Sequence, residues 1–142
     1  MSGKVSVRGP GRFQWSAGGW WGGQLGASGW MAALAGIYLA QGRAEAALAM
    51  FACFLAANSV GAALWTNRHR LAPFPALQGL LAGLFLTSAA ALLVSLAAAG
   101  AEAASPVVLH LPTLSPLGVY PGLMFFFWLL ERESRRARRV RK

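Results

Sequence analysis

The chain is 142 residues long, and 56% of these residues are hydrophobic while only 12% are charged. A water-soluble domain normally carries about twice that charged fraction, so the composition argues against a soluble globular protein and favours an integral membrane protein. The formal net charge is +9, from 13 basic and 4 acidic residues. Between residues 13 and 130 the charges are few, which leaves long uncharged runs. The charged residues in that interval are Arg43, Glu45, Arg68, Arg70 and Glu102.

Four apolar runs follow one another along the chain. An uncharged apolar run of about 18 or more residues is typical of a transmembrane helix. We therefore predict an all-α fold, a polytopic membrane protein whose four transmembrane helices pack as a small bundle in a single domain. The predicted spans are residues 20–40, 46–65, 75–98 and 114–130. Around them lie a basic N-terminal segment (1–19), an outer loop (99–113) and a basic tail (131–142).

The first span begins with closely spaced glycines. Three of them recur at every fourth residue, so within a helix they would form a smooth stripe against which another helix can pack closely. Glycine is a poor helix former, and the alternative is an interfacial turn at 18–23. We favour the helix, because a bilayer offers no water to an irregular backbone. The glycines that we assign to helix packing, two of them in the third span, are Gly18, Gly22, Gly26, Gly79 and Gly83.

Polar side chains inside the spans are the next candidates. An unpaired amide in hydrocarbon is costly, so such groups normally face another helix or a cavity. Gln24 and Asn58 lie at similar depths, because the first two spans run in opposite directions. We favour an interhelical hydrogen bond for this pair over a substrate site. The intramembrane polar candidates are Gln24, Asn58, Ser59 and Gln78.

The fourth span is rich in proline, and each proline removes a backbone donor and restricts the residue before it. A continuous helix through all four prolines is therefore not expected. Either the outer part of this region is an extended segment that lies over the bundle, or a proline kinks a helix that starts near Leu114. The prolines are Pro106, Pro112, Pro116 and Pro121.

Basic residues are distributed asymmetrically around these spans. Twelve of the thirteen fall on one side, and only Arg43 falls on the other. By the positive-inside rule both termini are expected in the cytoplasm. We expect a multi-pass integral membrane protein, located in a bacterial inner membrane. Five of the six tryptophans would then lie at inner ends of spans, in the headgroup zone that an indole ring prefers. These are Trp15, Trp20, Trp21, Trp65 and Trp128.

The tail after Leu130 is strongly basic. Attraction of such a cluster to anionic headgroups is worth about 1 kcal/mol per basic residue near the surface. No aromatic residue interleaves the arginines, so bases would find no stacking platform, and we expect no nucleic-acid partner. A protein partner with an acidic surface is the alternative. The arginines assigned to anionic lipid or partner binding are Arg132, Arg135, Arg136, Arg138 and Arg139.

Catalytic chemistry has few candidate residues. The chain contains no aspartate, and none of its glutamates falls inside a predicted span, which argues against paired-carboxylate catalysis. His69 and His110 are predicted on opposite sides of the membrane, and Cys53 is the single cysteine. These positions cannot combine into a metal site within one chain. We therefore expect no enzyme activity, no metal and no cofactor.

Two functions are consistent with this pattern. The first is a non-catalytic subunit or assembly factor of a membrane complex, which binds other membrane proteins or itself through small-residue faces while its tail contacts lipid. The second is a homo-oligomeric channel or transporter with a pathway lined by Gln24, Asn58 and the proline-rich fourth segment. We favour the first, because conduction usually requires charged or strongly polar groups in the spans.

Overall fold

The computed structural model describes residues 13–99 and 111–140, and these residues form four α-helices and no strand. The helices are α1 (Ala17–Ala40), α2 (Ala44–Thr66), α3 (Pro73–Ala99) and α4 (Leu111–Val140). The first three begin two or three residues before the predicted spans. Residues 1–12 and 100–110 lie outside the described part. Most of the predicted N-terminal segment and of the outer loop, including His110, therefore lies outside it too.

The glycine-rich start of the first span is helical. Ser16 caps α1, because its Oγ accepts from Gly19 N at 3.4 Å. Its carbonyl oxygen accepts from Trp20 N at 2.8 Å, which closes the first helical turn. The helix then continues through the glycines to Ala40, although glycine has a low helix propensity.

The turn between α1 and α2 is a glycine-based helix end. Gly42 has a φ of 74°, in the left-handed region that favours glycine. Arg43 N donates to Tyr38 O at 2.9 Å, and Gly42 N donates to Leu39 O at 3.0 Å. These two bonds form a Schellman motif, which ends α1 and reverses the chain within a few residues. The short turn makes α1 and α2 an antiparallel hairpin.

Two of the four helices are long and apolar enough to cross a membrane, namely α2 and the segment Pro73–Ala98 of α3. This finding is compatible with a membrane protein. The 24 residues of α1 would also reach about 36 Å, but its glycines and tryptophans add little hydropathy. In α4 the apolar part is followed by the basic tail. The large apolar side chains Leu48, Leu86 and Leu93 are 66–70% exposed, an arrangement typical of surfaces that face lipid or another protein.

The helices are arranged as an open arc. α1 packs along α2, α2 along α3, and α3 along α4, while α1 approaches α3 at only a few positions. Within the described residues no Cα atom of α1 lies within 8 Å of one in α4. The expected bundle is thus open on one side. A cleft separates α1 from α4, and α3 forms its floor.

The core is thin and has two parts. One cluster lies towards the α2–α3 turn and contains Ala57, Leu84 and Tyr120 among its buried members. The other lies towards the α1–α2 turn and contains Met31, Met50, Ala35 and Ala91. Helices α1 to α3 are apolar on all sides. Only a narrow stripe of residues on each helix is buried in the core, and most of each helix surface lies outside it.

Helix α4 differs from its predicted bounds at both ends. It runs as one helix through Pro112, Pro116 and Pro121, so among the described residues this region is not the extended segment that was one of the two alternatives, while the kink at a proline stays a prediction. Pro112 lies in the first turn, where its missing N–H would have no helical acceptor anyway, and each of the other two removes one bond of the ladder. At the other end the helix continues to Val140, since this stretch is rich in the helix formers glutamate and arginine.

Candidate functional site

A polar network joins α1 to α2 where the sequence analysis placed its two amides. The side chain of Gln24 is fully buried. Its Nε2 donates to Asn58 Oδ1 at 3.1 Å and to Asn58 O at 3.0 Å, with a longer bond to Ala57 O at 3.4 Å. The interhelical hydrogen bond between these two side chains is therefore observed.

Ser28 completes the network. Asn58 Nδ2 donates to Ser28 Oγ at 3.1 Å and to Phe54 O at 2.8 Å. Ser28 Oγ in turn donates to Gln24 O at 2.9 Å. Ser28 was not a sequence candidate, although it lies one turn after Gln24 and so shares its face of the helix. The side-chain donors of the network are thus used within the chain.

Gly61 provides the space for Gln24, and the sequence analysis missed it. A Cβ atom built on Gly61 would overlap the amide of Gln24. Gln24 Oε1 is buried against this position and has no hydrogen-bond partner among the described residues. Trp20 Nε1 donates to Gly61 O at 3.1 Å, just beside it. A signal was present in the sequence, since Gly61 is the single glycine of the second span and follows Asn58 by three residues.

The other two polar candidates lie elsewhere. Gln78 Nε2 donates to Met124 O at 3.1 Å and so connects α3 to α4. Ser59 is exposed on α2, away from the network. The four candidates therefore do not form one site, because only Gln24 and Asn58 are brought together.

The five packing glycines separate into two groups. A Cβ on Gly83 would lie 2.8 Å from Val60 Cγ1, and one on Gly79 would meet Leu64 at 3.7 Å, so both glycines lie at the α2–α3 contact. Cβ atoms on Gly18, Gly22 and Gly26 would meet nothing within 4 Å. No described helix of this chain packs on those three.

The outward side of α1 carries a longer series of small residues, which we name the small-residue face. Its members lie opposite the buried stripe of Gln24, Ser28, Met31 and Ala35. They follow one another at alternating intervals of four and three residues. Each is exposed or half-buried, and Cβ atoms on its four glycines would meet nothing within 4 Å. The small-residue face consists of Gly22, Gly26, Gly29, Ala33, Gly36 and Ala40.

Tryptophans gather at the end of the hairpin that is expected to face the cytoplasm. Trp15 lies 4.9 Å from Trp20 and 5.7 Å from Trp65, measured between ring centroids. Trp21 lies 6.2 Å from Trp65 on the other side. The guanidinium of Arg68 is stacked over Trp65, 4.8 Å from its ring centroid. Such contacts add about 0.5–1 kcal/mol each at exposed sites, so this end of the fold is held by aromatic packing.

A cavity of about 360 Å³ occupies the cleft between α1 and α4. Its wall is mostly apolar and includes Gly23 and Ala27 of α1, with leucines of α3 below. Tyr120 bridges the cleft, because its hydroxyl donates to Ala27 O at 2.9 Å. At the opposite end Phe13 packs edge-on against Phe127, with 5.5 Å between centroids. We name this space the cleft cavity.

The tail arginines have different environments. Arg132 is stacked over Trp128 at 5.2 Å, and Arg135 Nε donates to Glu131 Oε1 at 3.0 Å. Glu131 is only 4% exposed, although it follows the last apolar residue of the span. Arg136 is exposed. The side chains of Arg138 and Arg139 lie outside the described part.

Titratable groups do not assemble into a metal site within residues 13–99 and 111–140, where no group of three or more His, Cys, Asp or Glu side chains is close enough to hold an ion. Cys53 is a half-buried free thiol on α2. The polar chemistry of the described residues is instead concentrated in the α1–α2 network.

Comparison with known proteins gives no family. The chain matches no protein-family model, and no curated protein or solved structure is significantly similar to it.

Proposed function

We propose that the protein is a multi-pass membrane protein that acts as a non-catalytic subunit or assembly factor, and that it binds a helix of another membrane protein on the small-residue face of α1. The observation that carries this proposal is the empty space along that face. Cβ atoms on its four glycines would meet nothing within 4 Å. A helix that keeps glycine at such positions allows another backbone to approach closely.

The spacing of the face supports a helix as the partner. Intervals of four and three residues average 3.5, the repeat that keeps one seam facing a neighbour in left-handed packing at about +20°. With only hydrogen or methyl side chains in the seam, the two helices can approach closely enough for van der Waals contacts along most of their length. A soluble ligand would find no polar group on these positions.

The polar network supports an assembly role over a conduction pathway. Gln24 is fully buried, and its amide donates three times to α2. Asn58 donates to Ser28 and Phe54. Amide donors engaged in this way hold two helices together. Gln24 Oε1 has no partner among the described residues, but it is buried out of contact with solvent, so a passing ion or solute does not reach it.

We further propose four spans with both termini in the cytoplasm, on the basis of the basic-residue asymmetry. Glu45 at the start of α2 and Glu133 on α4 are both exposed, so each is a suitable labelling position. In a Cys53→Ser background, Glu45→Cys should react with an impermeant thiol reagent applied outside intact cells, while Glu133→Cys should react only after lysis. External labelling of Glu133→Cys, or protection of Glu45→Cys, would overturn this topology.

The partner face is tested by adding bulk to it. Gly22→Leu and Gly26→Leu should abolish co-purification of the partner in mild detergent, because a leucine side chain keeps the facing backbone from its close approach. Gly23→Leu is the matched control. It is the same substitution one residue away, but Gly23 lines the cleft cavity and is not part of the small-residue face.

Two further measurements complete this test: the size of the purified particle in mild detergent, and the flux of ions or solutes through the protein in proteoliposomes. We expect the native particle to contain at least one further membrane protein and to show no flux in proteoliposomes. If the partner co-purified equally with Gly22→Leu, Gly26→Leu and Gly23→Leu, the proposed assembly role would be wrong. A homo-oligomer that conducts would replace it with the channel function.

A further inference from the structure

The cleft cavity lies between α1 and α4, whose backbones stay more than 8 Å apart among the described Cα atoms. Its α3 wall extends from Pro73 to Leu84. Eleven residues of helix rise about 16 Å, which is close to half of a hydrocarbon core of about 30 Å. The cavity therefore has the depth of one leaflet. Its volume of about 360 Å³ falls within the usual range for sites that bind small hydrophobic molecules.

The wall of this cavity offers little to a polar ligand. The hydroxyl of Tyr120 is already bonded to Ala27 O. Gln24 Oε1 and Trp15 Nε1 lack partners, but both atoms are buried out of contact with solvent and with any occupant of solvent size. Gln14 and Ser16 also line the cavity, but leucines and aromatic residues dominate the remaining wall. Hydrocarbon is the chemistry that fits such a lining.

Positive charge lies at one end of the cavity. Trp15 and Pro73 both line that end, and Trp15 contacts Trp65, over which the guanidinium of Arg68 is stacked. Arg68 and Arg70 are exposed in the α2–α3 turn, immediately before Pro73. An arginine that lies on an aromatic ring at the membrane surface is well placed for the phosphate of a lipid headgroup.

We propose that the cleft cavity holds one acyl chain of an anionic phospholipid from the cytoplasmic leaflet, with its headgroup at Arg68 and Arg70. The chain enters through the gap between α1 and α4 and lies along the leucines of α3. This site is separate from the basic tail on α4. It also uses residues of α1 other than those of the small-residue face, which we propose as the partner interface.

Gly23 is a position from which the cavity can be filled. It lines the cavity, and a Cβ atom on it would meet nothing within 4 Å. A leucine there occupies the space of the acyl chain. Ala27→Leu does the same from one turn further along α1, and it provides a second route if Gly23→Leu does not fold. Gly22→Leu is the control, because it carries equal bulk on the outward side.

The experiment is native mass spectrometry of the full-length protein, purified in mild detergent and incubated with phosphatidylglycerol or with phosphatidylcholine of identical acyl chains. We expect one bound phosphatidylglycerol per chain in the wild type and in Gly22→Leu, and at least a tenfold loss in Gly23→Leu and Ala27→Leu. Arg68→Gln should reduce the preference for phosphatidylglycerol about fivefold, as expected for one basic residue near the headgroups.

Specific outcomes would overturn the proposal. Equal lipid retention in the wild type and in a folded, monodisperse cavity-filling variant would show that the lipid binds elsewhere. If the wild type retained phosphatidylglycerol and phosphatidylcholine equally, the proposed headgroup site at Arg68 and Arg70 would be wrong. Gly22→Leu separates these results from the partner interface, because it should lose the partner and keep the lipid.

Discussion

Replacing Gly61 with alanine is expected to destabilise the fold more than any other single methyl added to the hairpin. The new Cβ would overlap the amide of Gln24. Overpacking a core costs about 1–3 kcal/mol, and a buried amide that loses its partners costs a similar amount. Either the side chain stays and the core is overpacked, or it moves away and loses its partners, so we expect the free energy of unfolding to fall by about 1–3 kcal/mol, measured by denaturant titration in detergent micelles.

Gly26→Ala is the control for this prediction. Its Cβ would meet nothing within 4 Å, and alanine is favoured over glycine inside a helix by about 0.5–1 kcal/mol. The control should be neutral or slightly stabilising. If Gly61→Ala changed the free energy of unfolding no more than Gly26→Ala does, Gln24 would not lie as close to α2 as described here.

Replacing Gln24 with methionine, which has the same unbranched shape, should lower the free energy of unfolding by about 1–3 kcal/mol. The substitution removes the donor that Asn58 Oδ1 accepts and leaves that oxygen without its interhelical partner. The double variant Gln24→Met/Asn58→Leu should lose less than the two single losses added together, because an apolar pair leaves fewer buried polar atoms unpaired.

A double-mutant cycle measures this coupling directly. Interhelical hydrogen bonds in membrane proteins are worth about 0.6–2 kcal/mol, so the coupling energy should fall in that range. Gln78→Met serves as the comparison, since Gln78 bonds to α4 and not to α2. It should add to Asn58→Leu without coupling. Strict additivity of the Gln24 and Asn58 substitutions would show that their bond contributes nothing to stability.

The sequence predicted this network better than it predicted the packing. The uncharged runs and the short turn at Gly42 make α1 and α2 antiparallel. A contact between two amides at similar depth can therefore be predicted from the sequence alone. Which glycine faces a neighbour is a question of rotation about the helix axis. In helices that are apolar on every side, no hydrophobic stripe reveals that rotation. Gly22 and Gly83 therefore look alike in sequence, although one faces open space and the other packs against Val60.

The helical course of the residues after Leu130 was not part of the sequence prediction, which assigned them to a basic tail by their charge. Charge alone says little about the backbone. Glu131 and Arg135 are four residues apart, a spacing that stabilises a helix turn. The prolines of α4 were weighted as helix breakers one by one, whereas the helix continues when each removes only one bond from a ladder of 30 residues.

The uninterrupted course of α4 determines how far its charges reach. From residue 130 to residue 139 the helix rises about 13 Å, which exceeds the screening length of about 8 Å at physiological ionic strength. If α4 leaves the bilayer upright at residue 130, the first helical turn after that residue lies among the headgroups, while the backbone of the last turn lies beyond their screened electric field. A single stiff helix would then extend from the lipid surface into the cytoplasm.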